Sequence, residues 1–240
     1  MRASDESGIE RILMVMAHPD DVDFGAAGSV ATWTAAGIHV AYCLVTDGDA
    51  GGSDNTITRE RMAEIRRGEQ TAAAAAVGVT ELHFLGYPDG RVTASIELRR
   101  DISRVIRTVR PDRVCVQSPE RRWDRIYASH PDHLAAGEAA LAAVYPDARN
   151  EFAHPELLAE GHEPWTAREV YVVAHPQADT FVDITDHIDR KITALLAHES
   201  QHADPVRTEE LVRAWSELTA SGAGLPEGRR AEAFLRVDTA

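Results

Sequence analysis

The chain has 240 residues, 44% of them hydrophobic, two cysteines and a formal net charge of −14. That acidity argues against a nucleic-acid partner or an anionic membrane surface, both of which would repel it. No apolar run approaches the roughly 20 residues that a membrane span needs. The length suits one α/β domain with a sizeable core.

In chain order, the apolar run before residue 18 predicts a strand over 11–17, then a helix over 25–36 and a strand over 38–45. A helix over 59–77 carries the alanines 72–76 and stops at Gly78. A strand over 81–85, a helix over 97–109 closed by Pro111, a strand over 113–117, a helix over 133–144 and a strand over 169–174 follow. Residues 145–167 read as an irregular insertion, 176–186 as a further strand pair, and 186–202 as a helix, with 203–240 a polar extension. Such alternation implies an α/β fold, a largely parallel sheet covered on both faces, within a single domain over 1–240. Cys43 and Cys115 each fall inside an expected strand, so buried thiols are expected rather than a disulfide framework. The acidic start, residues 1–6, lacks the apolar stretch of a signal peptide, and a cytoplasmic protein is expected.

The chemistry concentrates in two places. Met16-Ala17-His18-Pro19-Asp20-Asp21 follows the first strand and leads into small residues at 25–29. This is the carboxyl end of a strand beside a helix start, where α/β folds build sites. A turn can aim His18 and Asp21, three positions apart, at one point, leaving Asp20 free to handle protons. Ser129-His130-Pro131-Asp132-His133 repeats the i, i+3 spacing before an alanine-rich helix. One of its histidines added to His18 and Asp21 makes a two-His, one-carboxylate site with open positions, the form of catalytic zinc sites. His133 is the better ligand because it sits on the helix, and His130 then faces the substrate as acid or oxyanion stabiliser. The reverse assignment stays open, and a helix-cap role is the plainer alternative for Asp20, Asp21 and Asp132.

The paired motifs resemble the LmbE-like or PIG-L family of zinc-dependent N-deacetylases. The likeness continues through Leu44-Val45-Thr46-Asp47-Gly48, Arg66-Arg67-Gly68-Glu69, Tyr87-Pro88-Asp89-Gly90 and His198-Glu199-Ser200-Gln201. It implies a Rossmann-like deacetylase fold and one zinc ion per chain held by His18, Asp21 and His133. It further implies that Asp20 is the general base and that His130 assists at the oxyanion or leaving group. On this reading Asp132 orients or tunes His130, while Arg66 and Asp89 contact the substrate. A solvated helix face and a turn before Gly90 are the alternatives for these last two. The substrate class implied is an N-acetylated amino-sugar conjugate, and family members commonly form homo-oligomers.

Other features are weaker. Thr46-Asp47-Gly48-Asp49-Ala50-Gly51-Gly52 does not close a dinucleotide fingerprint, so it reads as a pocket wall, a lid or a solvent loop. His39, His83, His154, His162, His187 and His202 read as surface or structural groups, and His175 as one that could line the pocket. Trp123 and Trp165 suit stacking on a sugar or ordinary packing. Rival readings are an amidase for larger acyl groups, a non-haem iron oxygenase, and a non-catalytic sugar- or metal-binding protein.

Overall fold

The computed structural model describes residues 1–126 and 129–239. Eight strands form one sheet: β1 (Arg2–Ala3), β2 (Arg11–Met16), β3 (His39–Thr46), β4 (Glu81–Tyr87), β5 (Arg113–Gln117), β6 (Glu169–Val173), β7 (Thr180–Asp183) and β8 (Ala231–Asp238). Their order is β1-β7-β8-β6-β5-β2-β3-β4. Neighbours run parallel except around β8, which is antiparallel to both β6 and β7. This is the mainly parallel α/β sheet expected from the alternation.

The helices are α1 (Asp21–Gly25), α2 (Ala27–Ala35), α3 (Arg59–Ala76), α4 (Ile96–Val109), α5 (Pro131–Ala142), α6 (Pro155–Ala159), α7 (Ile188–Leu196) and α8 (Pro205–Gly222). Side chains alternate along β2, so Ile12, Met14 and Met16 face one core and Leu13 and Val15 the other. Residues of α2, α3 and α7 cover the first face; α4 and α5 cover the second. Thr58 caps α3 by accepting from Arg61 N, and Ser95 caps α4 by accepting from Leu98 N, each cap contributing about 1 kcal/mol.

Chain order explains where a site can form. From β2 the chain moves outward through β3 and β4, then returns to lay β5 on the other side of β2. The crevice at the carboxyl ends of β2 and β5 is therefore the switch point of the sheet. Both histidine motifs emerge there.

Four expectations change. The helix over 25–36 divides at Ala26, whose φ is −151°, and α2 restarts where the Glu232 carboxylate accepts from Gly28 N and Ser29 N. Residues 176–186 give one strand and a 3-10 turn instead of a strand pair. The helix over 186–202 stops at Leu196. Residues 203–240 hold α8 and β8 rather than a plain polar extension. The polar look of β8 misleads because its charges are paired, Glu232 with Lys191 inside the fold and half-buried Arg236 with Glu169. Within 145–167, the Arg107 guanidinium donates to the carbonyls of Asp147, Ala148, Asn150, Ala153 and His162, which gathers the segment onto α4.

Among the described residues no helix is long and apolar enough to cross a membrane. Cys43 and Cys115 are free and fully buried. Burial pushes the Cys43 thiol up to about 12 and raises Cys115 as well, so neither carries thiolate at ordinary pH. A maleimide at mildly alkaline pH should therefore label neither thiol in the native protein and both in denaturant. Mass spectrometry of the labelled chain checks this; native labelling would contradict the packing of β3 and β5.

Candidate functional site

The loop after β2 is held from both neighbouring strands. Ala17 N donates to Gln117 Oε1 of β5 at 2.9 Å, while Ala17 O accepts from Thr46 N and Thr46 Oγ1 of β3 at 2.8 and 2.9 Å. The next backbone group, His18 N, donates to Asp21 Oδ2 at 2.7 Å, closing the turn. With this frame fixed, the His18 ring presents its two nitrogens in different directions.

His18 Nδ1 lies 3.3 Å from Asp21 Oδ2 and 3.2 Å from His133 Nε2, and His133 Nε2 lies 3.0 Å from Asp21 Oδ1. Donors each about 2.0–2.1 Å from a tetrahedral zinc would be roughly 3.3 Å apart, so two nitrogens 3.2 Å apart, each near one oxygen of the same Asp21 carboxylate, are spaced to suit such an ion. His18 Nε2 turns the other way, 3.1 Å from Asp89 Oδ1 and 3.2 Å from Asp132 Oδ2. Those carboxylates are themselves fixed: Asp132 accepts from Gly90 N and Val92 N, and Asp89 accepts from Ala50 N. Two carboxylates hold the Nε2 proton, so Nδ1 is the nitrogen that a bound cation would take in place of its proton, with the usual outer support of a metal-binding imidazole. Nitrogens of His18, His130 and His133 also come within 4.8 Å of one another, as do donor atoms of His18, Asp89 and Asp132.

The electrostatics match this crowding of acids. Burial alone would lower the His18 pKa, but hydrogen bonds and charge from Asp21 and Asp89 outweigh it and raise it to about 11. Burial pushes Asp21 up, yet His133 and His18 overcome that and hold it well below the ordinary carboxylate value. Asp20 goes the other way. Burial and then the Asp21 charge raise it to about 7, opposed by Arg66, His198 and His18. Two neighbouring carboxylates thus have opposite tendencies, one suited to binding a cation and one to exchanging a proton.

His133 owes its place to a missing side chain. Gly137 lies one turn further along α5, and a Cβ there would stand 2.3 Å from the Gln117 carbonyl oxygen. The helix can rest on the end of β5 only with glycine at that point. His130 caps the same helix, its Nδ1 accepting from Asp132 N at 3.2 Å. Burial, then the His18 and His133 charges, lower its pKa. The neutral ring therefore keeps its proton on Nε2 and offers a donor.

Asp132, Asp89 and Arg66 each meet protein groups of the site. Asp132 turns its carboxylate towards His18, while its N–H donates to His130 Nδ1 and its charge opposes the lowering of the His130 pKa. Asp89 likewise braces His18 Nε2 instead of standing open to substrate hydroxyls. Arg66 is only 4% exposed and meets protein groups: it donates to Asp20 Oδ2 at 2.8 Å, to Gly48 O at 3.2 Å and to Pro19 O. The glycine loop of 46–52 is a wall over this arginine, since a Cβ at Gly51 would stand 2.5 Å from Arg66 Nη1 and 2.8 Å from Gln201 Oε1. His18, Asp20, Asp21, His130 and His133 come together.

The remaining aromatic groups divide. His175 pairs with Glu120, His39 and His83 with Glu81, and His154 with Asp147. Trp165 donates to Pro111 O beneath Arg11, away from the site, while Trp123 is exposed. Sequence reasoning missed Gln70 and Asp23 and gave His198 a place in a motif but no role; the three form a buried set behind the site. The i, i+4 spacing of Arg66 and Gln70 was the available signal for one of them.

A family model described as PIG-L, GlcNAc-PI de-N-acetylase, matches residues 13–144. Diacetylchitobiose deacetylase of Thermococcus kodakarensis is 33% identical over 198 residues, covering 82% of this chain and 72% of that protein. The 1D-myo-inositol 2-acetamido-2-deoxy-alpha-D-glucopyranoside deacetylase of Thermomonospora curvata is 28% identical, with 80% of each chain covered. The solved structure of N,N'-diacetylchitobiose deacetylase from Pyrococcus horikoshii with its inhibitor MPG superposes at a TM-score of 0.89 and 26% identity, covering 98% of this chain and 86% of that one.

Replacing Gly137 by alanine should push α5 away from β5 and carry His133 with it. The expected result is at least about tenfold weaker divalent-metal binding and a loss of roughly 1–3 kcal/mol in stability. Metal titration and denaturant unfolding read the two effects separately, and unchanged metal affinity would refute the close-approach argument.

Proposed function

Because the chain belongs to the PIG-L (GlcNAc-PI de-N-acetylase) family, we propose that it hydrolyses the acetamide of an N-acetylated amino-sugar conjugate, releasing acetate and the free amine. The observation that carries this reading is the His18 Nδ1, Asp21, His133 Nε2 triangle with a separately held carboxylate, Asp20, beside it. The donor set suits zinc, one ion per chain, held by His18, Asp21 and His133. When bound, such an ion supplies an acidified water and a Lewis acid for the amide carbonyl.

The chain's own residues do the rest. Asp20 accepts a proton from the attacking water and returns it to the nitrogen that leaves. Arg66 holds Asp20 and keeps part of its negative charge compensated, so the carboxylate stays available as a base near neutral pH. The Nε2–H of His130 donates to the oxygen that becomes negative as the carbonyl carbon turns tetrahedral. Asp89 and Asp132 keep the His18 ring in one tautomer and orientation. The deacetylases of Thermococcus kodakarensis and Thermomonospora curvata support an N-acetyl-sugar substrate. Buried, free Cys43 and Cys115 support a cytoplasmic setting.

Zinc-loaded protein should release free amine from at least one member of a panel of N-acetylglucosaminides, and Asp20→Asn should lower kcat by about 100-fold or more with metal content unchanged. Amine detection beside metal analysis checks both. Bound zinc without turnover on any member redirects the assignment to larger acyl groups, and failure to bind metal would remove its basis.

A pH profile tests the Arg66–Asp20 pair. Asp20 works only when ionised, so the rate falls as pH drops through its pKa. Arg66 lowers that pKa; replacing it by methionine should therefore move the acid limb of kcat/KM to higher pH. An acid limb left in place would separate Arg66 from the base.

A further inference from the structure

Behind the site stand three fully buried polar side chains: Gln70, Asp23 and His198. They form a continuous line. Gln70 Oε1 accepts from Asp20 N at 2.9 Å, and Gln70 Nε2 donates to Asp23 Oδ2 at 2.9 Å. The same Asp23 oxygen meets His198 Nε2 at 2.8 Å. The amide has one workable orientation, because reversing it would set NH2 against the Asp20 N–H and oxygen against a carboxylate.

The line ends on a strained residue. Asp20 has φ 88° and ψ −25°, a left-handed conformation disfavoured for any side chain with a Cβ. Its carbonyl turns back to accept from Asp23 N and Phe24 N at 2.9 and 3.0 Å, and its N–H is taken by Gln70. Arg66 fixes the carboxylate, whereas Gln70 fixes the backbone that aims it.

The composition of the line does not serve packing. Asp23 Oδ1 and His198 Nδ1 are buried without a hydrogen-bond partner among the described residues. Apolar groups of the same shape would avoid that cost. A purpose beyond stability is needed for these polar atoms.

We infer that Gln70, Asp23 and His198 form a positioning relay that keeps the Asp20 backbone left-handed and so directs its carboxylate at the reacting water. The inference rests on the reading of Asp20 as general base. Acting through Asp20 and not on substrate, the relay governs turnover instead of substrate affinity. It also ties the 198–201 segment to the chemistry.

The test uses Gln70→Leu, His198→Leu and the conservative His198→Gln, which retains an N–H donor, with Asp20→Asn as control. Metal content, kcat, KM and hydrogen exchange of the Asp20 amide are measured on the zinc-loaded full chain with the N-acetylglucosaminide that the wild type turns over best. Gln70→Leu should lower kcat about 10- to 100-fold, as expected for a displaced catalytic group, with KM and metal content within about twofold of wild type. His198→Leu should fall in the same direction and His198→Gln should recover most of the loss. Asp20 amide exchange should quicken in both leucine variants and return towards wild type in His198→Gln.

An unchanged kcat in Gln70→Leu, beside an inactive Asp20→Asn, would overturn the relay while leaving the base in place. A parallel fall of kcat, 1/KM, metal content and thermal stability, without recovery in His198→Gln, would reduce the three residues to packing and also overturn it. Full activity in Asp20→Asn would instead overturn the base assignment. If a leucine variant does not fold, His198→Gln and the wild-type exchange rate still decide: an Asp20 amide exchanging as fast as an exposed loop would refute the holding contact.

Discussion

A site assembled from separate loops needs one group that all of them can be built against, and here that group is the His18 imidazole. One ring nitrogen faces Asp21 and His133; the other faces Asp89 and Asp132. The ring cannot rotate without losing one set or the other. Loops after β2, β4 and β5 are thereby registered to a single plane, although Asp132 lies 114 residues beyond His18 in sequence. The constraint is electrostatic as well as geometric. Four carboxylates, Asp20, Asp21, Asp89 and Asp132, share a poorly hydrated space, and they are tolerable there only because cationic donors stand between them.

α3 supplies part of that compensation, through Arg66 at Asp20, and braces the loops around the site. Arg59 reaches Asp49 and the Asp89 carbonyl, Arg66 reaches Asp20, Arg67 reaches Asp47, and Glu69 receives both the backbone and hydroxyl protons of Ser200. Gln70 completes the series by joining Asp20 to Asp23. Alanines later in the helix bury it against the sheet, so its polar first half is carried on a rigid support. The arrangement places the adjustable charges on a helix and leaves the loops to carry the reacting groups.

The frame of this architecture was legible in sequence because its signals are local. Apolar runs marked β2, β3 and β5 to within a residue or two, and the HPD spacing marked the ends of β2 and the start of α5. Contacts across long separations were not legible. Asp132 lies two residues after His130 in the chain, but two helical positions diverge by about 200°, and the carboxylate turns to His18. Arg66 looks like a surface residue on a polar helix until the glycine loop is seen to cover it. Gln70 and Asp23 carry no motif of their own, since their importance comes from what they hold. β8 was lost for a related reason: Glu232 and Arg236 resemble solvent-facing residues, yet Glu232 is buried against Lys191 and Arg236 is paired with the buried Glu169.

The place of β8 has a consequence for how the molecule is made. Residues 231–238 fill the slot between β6 and β7, and β7 in turn carries β1. A ribosome-bound chain can pair β2 through β6 early, using parallel crossovers close in sequence. Until β8 has emerged, however, β6 presents a bare edge and the β1–β7 pair has no strand through which to join the sheet. Such an edge invites pairing with another copy, and closure over so long a separation is slow. Nascent chains are thus most exposed to misassembly in the interval between the synthesis of β6 and that of β8.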